Sequence, residues 1–208
     1  MEDRLILREQ RRERRQQYKE TAVRSCYSVL IVAVALVVLR PLIVDEILSR
    51  ADAYSAVGQL DECMRQCDKA ILIDDESSRA WCLLARIHKV RGNREMAYAA
   101  YERAVQADST NTSAHFGLGM LYMDDGRHLL AIPHFEQVRK LGPDRAQGNR
   151  PGGDSYHRAA LYMLVLCYEK VGDPLKTELT LKEIRGFYPE CSNPDELLRP
   201  LRAHDLAR

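Results

Sequence analysis

The 208-residue chain is poor in the patterns that carry chemistry. It has no Cys-x-x-Cys pair and no Gly-Lys-Ser/Thr phosphate loop, which argues against a zinc ribbon or a nucleotide cradle. The six histidines are scattered and no Ser-His-Asp set stands out. Asp74-Asp75 and Asp124-Asp125 read as helix-end acids. No catalytic residue, metal or cofactor is therefore expected, and the chain is not read as an enzyme. Eleven glycines and eight prolines are too few for disorder, while 46% hydrophobic content is ordinary for a packed helical protein. A net charge of +1 argues against nucleic acid as the main partner.

What the chain does have is a period. Gly58, Gly92 and Gly126 fall 34 residues apart, and Gly172 follows 12 residues late. Eleven residues before each stands Ile47, Trp81, His115 or Leu161, and seven before stands Ala51, Ala85, Gly119 or Val165. Four before comes Tyr54, His88, Tyr122 or Tyr168; five after, Cys63, Ala97, Ala131 or Thr177. Nine after comes Cys67, Tyr101, Phe135 or Leu181, and twelve after, Ala70, Ala104, Val138 or Ile184. A fixed period in this range marks a stacked repeat.

Physical reasons for the pattern are direct. Two helices approach closely only where side chains are small, hence Ala51, Ala85 and Gly119 opposite Cys63, Ala97 and Ala131. Glycine ends the first helix of each pair, because a left-handed residue there carries no Cβ penalty. Pro143 and Pro189 stop the second helix. Val165 and Thr177 depart from the small-residue rule, so the fourth pair is the least regular.

The pattern resembles the tetratricopeptide repeat over roughly residues 44–191, with Trp81-Leu84-Ala85-Gly92-Ala97-Tyr101-Ala104 and Leu118-Gly119-Tyr122-Gly126-Ala131-Phe135-Pro143 as its best matches. The resemblance implies an all-α chain, a right-handed α-solenoid of about four helix pairs, and the apolar run before it adds the expectation of one transmembrane helix. The expected layout is a basic leader at 1–24, a membrane helix at 22–44, and repeats at 44–77, 78–111, 112–145 and 158–191. A Gly/Pro-rich inserted loop takes 146–157 and a short capping segment 192–208.

The membrane expectation rests on residues 22–44. Residues 1–24 hold eight Lys/Arg against five Asp/Glu, and Ser25 to Leu39 carries no charge. That uncharged run gives only about 22 Å of helix against a hydrocarbon core of about 30 Å. Extended from Ala22 to Val44, with Arg24 and Arg40 snorkelling, it reaches about 34 Å. A cleaved signal peptide suits the run's length but not its long basic leader. The charge bias then puts the N-terminus in the cytoplasm and the repeats in a periplasm or lumen.

By the resemblance, the first helix of each pair lines a concave groove. Its inward positions include Arg79, Arg86 and Lys89, a basic stripe, and Phe116, Met120, Met123, Tyr162 and Leu166, an apolar patch. The expected occupant is a protein or peptide segment with acidic character, membrane-associated and with the bilayer itself engaged by 22–44. Alternatively the apolar residues pack against the insertion or the C-terminal cap. The expected role is a membrane-anchored scaffold that assembles or tethers a complex. A permanent noncatalytic accessory subunit of a membrane enzyme complex is the alternative. Cys63 and Cys67 fall on core positions and are expected as buried small hydrophobes, with a Cys67–Cys82 bridge left open.

Overall fold

The computed structural model describes residues 2–145 and 153–188. They form eight α-helices and no strand: α1 (Glu2–Ala56), α2 (Leu60–Ile73), α3 (Ser78–Val90), α4 (Arg94–Ala107), α5 (Thr112–Asp124), α6 (His128–Arg145), α7 (Gly153–Val171) and α8 (Pro174–Phe187). The chain divides into two units, Met1–Glu46 and Ile47–Arg208.

The first unit lies within α1, which runs on through Pro41. Many of its apolar side chains, among them Val23, Leu30, Ile31, Val37 and Leu42, are exposed, while Val44 near its end is buried. Among the described residues, no helix is long and apolar enough to cross a membrane. This corrects the expected transmembrane helix at 22–44. Length is not what fails, since α1 has 55 residues. The uncharged stretch between Arg24 and Arg40 is only fifteen residues, and lengthening it brings both guanidinium groups into the span. The expected engagement of the bilayer by residues 22–44 rested on that helix and is not shown. The single-pass localisation, with its cytoplasmic N-terminus and periplasmic or lumenal repeats, falls with the helix.

In the second unit, connections of two to four residues turn the chain back at each step from α2 to α6 and from α7 to α8. Each of these helices packs on its chain neighbour, and α5 also touches both α3 and α7. This is an all-α solenoid. Its inner stripes follow from helical spacing: Cys63, Cys67 and Ala70 on α2; Ala97, Ala100, Tyr101 and Ala104 on α4; Ala131, Phe135 and Val138 on α6, all buried. Helix α7 is buried on nearly every side, from His157 to Val165 with only Arg158 partly exposed, because α5, α6 and α8 all pack on it.

The four period-setting glycines share one geometry. The Gly92 amide donates to the Lys89 carbonyl at 3.0 Å, and the Asn93 amide to the His88 carbonyl at 2.9 Å. At Gly126 the acceptors are Met123 and Tyr122, both at 2.8 Å. Those paired bonds form a Schellman cap, which needs its penultimate residue left-handed; Gly92 and Gly126 have φ of +77° and +70°. Gly58 and Gly172 repeat the pattern. The aromatic or imidazole residue four positions before each glycine is thus the one whose carbonyl accepts from the amide just after the glycine, the cap bond that spans five residues.

Two departures from the expected layout appear. The non-helical residue within α6 is Gly142, at φ 71° and ψ 170°, one residue before the proline expected to stop that helix. Helix α7 begins at Gly153, so residues 153–157 of the expected loop are helical. The remainder of that loop, Pro189 and the capping segment at 192–208 lie outside the described residues.

Polar side chains tie successive pairs together. Asn111 caps α5 by accepting from the Ala114 amide at 3.0 Å and donates to the Ser78 hydroxyl at 2.7 Å. Ser78 in turn donates to the Ala104 carbonyl at 2.7 Å, at the end of α4. One asparagine therefore starts a helix and fixes its position on the preceding pair.

Candidate partner-binding face

Because α3 touches α5 and α5 touches α7, the first helices of three successive pairs form one continuous face. Its basic members differ in their surroundings. Arg79 reaches Asp52 Oδ2 at 2.5 Å, and Lys89 Nζ lies 3.6 Å from Asp124 Oδ2. Arg86 is half-buried, and no carboxylate among the described residues stands within ion-pair distance of it. Burial works against its charge. The Tyr156 phenol, then Cys82, Tyr101 and Asp52, act the other way and hold its pKa above the ordinary arginine range.

The apolar members separate in the same way. Phe116 is buried, edge-on to Phe135 with centroids 5.6 Å apart and tilted against Tyr156 at 5.3 Å. Tyr162 is buried with Leu161, Val165, Ile184 and Tyr188. Met120, Met123 and Leu166 are partly exposed over the core around Phe135, Leu164 and Cys167. Of the eight expected groove residues, four remain as surface able to meet a partner: Arg86, Met120, Met123 and Leu166. Arg79 and Lys89 already have partners within the chain, and Phe116 and Tyr162 belong to the core.

Tyr156 was absent from the sequence reading because it fell in the expected loop. The Asp154-Ser155 pair after two glycines, just before an apolar run, was the available sign of a helix start there. Asp52 and Asp124 were visible in the sequence but not as partners of the stripe. An ion pair between residues 27 or 35 positions apart has no local signature.

Elsewhere, buried groups serve packing. His115 Nε2 lies 3.1 Å from the Ser109 carbonyl, which can only accept. The Nδ1 of His115 is then the acceptor in its 3.2 Å contact with His134 Nδ1. Burial, aided by His115, lowers the His134 pKa to about 4. Cys63, Cys67, Cys82 and Cys167 are free, buried thiols, so Cys67 and Cys82 are not bridged; burial pushes Cys167 up to about 11. No group of three or more metal-ligating side chains occurs among the described residues.

Residues 78–111, which hold α3 and α4, match the family model for the tetratricopeptide repeat. The solenoid is tetratricopeptide-like. Solved tetratricopeptide-like structures resemble it along most of its length. MamA is 22% identical, covering 70% of this chain and 79% of MamA, with a TM-score of 0.55. The PilF protein of Pseudomonas aeruginosa is 18% identical, covering 79% and 71%, with a TM-score of 0.61. The Yersinia enterocolitica type III secretion chaperone SycD, solved with a peptide of the translocator YopD, is 16% identical, covering 61% and 92%, at 0.52. Among curated proteins, anaphase-promoting complex subunit 3 of Schizosaccharomyces pombe is 23% identical over 96 residues. That match takes in 46% of this chain and only 14% of the relative's length. At these identities the likeness carries the fold.

Proposed function

We propose that the chain is a noncatalytic protein-interaction scaffold whose face of α3, α5 and α7 receives a segment of a partner protein. The observation that carries this is the continuous row of first helices, on which Arg86, Met120, Met123 and Leu166 stay accessible over a packed core. Methionines suit such a surface because their unbranched thioether side chains adapt to different apolar shapes. SycD, of similar fold, is solved with a peptide of another protein, which fits this use of the architecture.

A photo-crosslinking amino acid placed at Met120 or Leu166 tests it in the cells that make the protein. Both positions should give the same discrete crosslinked partner, and Leu72, exposed on α2, should not. Equal crosslinking from Leu72, or none from Met120 and Leu166, would remove the proposal.

A further inference from the structure

We infer that Arg86 is the receptor for one acidic side chain of a segment laid along the face of α3, α5 and α7, a statement that rests on the function proposed above. Three basic residues project from α3 on this face, and two are satisfied from within the chain. Arg79 is held by Asp52 and Lys89 by Asp124. Arg86 has lost part of its water without gaining a counter-ion among the described residues. A partly desolvated guanidinium costs free energy until an anion meets it, and its planar donors fit a carboxylate.

Tyr156 stands on the next first helix of the same face. Its ring lies against Phe116, with centroids 5.3 Å apart, and its hydroxyl makes no hydrogen bond among the described residues. A carboxylate seated on Arg86 would accept from the guanidinium on α3. One cation matches one carboxylate.

The surroundings define the rest of the ligand. Met120 and Met123 on α5 and Leu166 on α7 offer partly exposed apolar surface over one shared core cluster. The partner segment is therefore an acidic residue flanked by apolar ones. The acid is a side chain, not a chain end, because the apolar surface continues along α5 and α7 past Phe116 and the segment runs on with it. Asp52, also within electrostatic reach of Arg86, disfavours a second negative charge toward the α1 end.

The test is panning of a phage-displayed library of random 12-residue peptides, fused through their C-termini, against the full chain. Enriched peptides should share an Asp or Glu beside Leu, Ile, Met or Phe. The best is then synthesised with an amidated C-terminus, alongside its Glu→Gln (or Asp→Asn) version. Arg86→Gln should weaken the acidic peptide about tenfold or more and leave the amide version nearly unchanged, while Arg79→Gln should change either by less than about threefold. The peptide swap leaves the protein untouched, so it reads the charge contact even if a variant is less stable. Enriched peptides without a shared acid, or equal loss of both peptides in Arg86→Gln, overturn the acid receptor while Met120→Asp still abolishes binding. Binding that survives both Arg86→Gln and Met120→Asp, or no enrichment, overturns the proposed face and the receptor with it.

Discussion

Gly119 on α5 lies against the ring of Phe135 on α6, where an added Cβ would stand 2.6 Å from Cε1. Phe135 is fully buried, so its ring has nowhere to retreat. Overpacking of this kind costs about 1–3 kcal/mol and sets the closest approach of the third pair. Gly119→Val should lower the melting temperature by several degrees. Gly186 on α8 meets nothing within 4 Å, and Gly186→Ala should raise stability by about 0.5–1 kcal/mol. Thermal or urea unfolding of the two variants checks both signs.

Gly126 tests the cap instead of the packing. It has open space around it but a φ of +70°, which an L side chain resists by about 1–2 kcal/mol. Gly126→Ala should destabilise by about that amount. Gly126→Asn should cost less, because asparagine tolerates the left-handed region better. Equal losses for Ala and Asn would point to something other than backbone conformation.

The His115–His134 pair makes stability depend on pH. Burial holds both imidazoles below the ordinary histidine value, His134 at about 4. Between about pH 6.5 and 4 the unfolded chain binds more protons than the folded one, so stability falls as the solution is acidified. The slope is at most about 1.4 kcal/mol per pH unit for each proton, less for His134 because its ring is part-exposed. It ends for His134 once its folded form protonates. His134→Gln should narrow the drop in melting temperature between pH 7 and pH 5; an unchanged drop would exclude His134 as a source.

Thiol labelling checks the core directly. Cys63, Cys67, Cys82 and Cys167 are buried and Cys26 is exposed. Cys67 is held protonated by its hydrogen bond to Cys63 and by burial. Brief iodoacetamide treatment of native protein, read by mass spectrometry, should modify Cys26 and spare those four. All four should react once urea unfolds the chain. Fast native labelling of Cys63 or Cys67 would mean that α2 does not pack as described.

The period of 34 residues determined the fold on its own, because each element of the pattern has a local cause. A glycine is needed wherever a helix must end in a Schellman cap, and small residues wherever two helices must touch. Such requirements act over one or two turns of chain, so Gly92, Gly126, Ala85 and Ala97 could be assigned from spacing alone. The apolar run before the repeats showed the opposite. Its hydrophobicity was plain, but whether it reaches across a bilayer turned on fifteen uncharged residues between two arginines, too few to span one.

The partner-binding face needed the tertiary structure. Sequence phase placed Arg79, Arg86 and Lys89 on one side of α3 and treated them alike. Only the packed chain brings Asp52 to Arg79 and Asp124 to Lys89, and leaves Arg86 without a carboxylate partner among the described residues. Phe116 likewise sat on an inward position, and α7, starting earlier than expected, covers it. Helix ends and close contacts are written locally, in the conformational cost of single residues. Which charge remains unpaired depends on distances between residues far apart in the chain, and those exist only after folding.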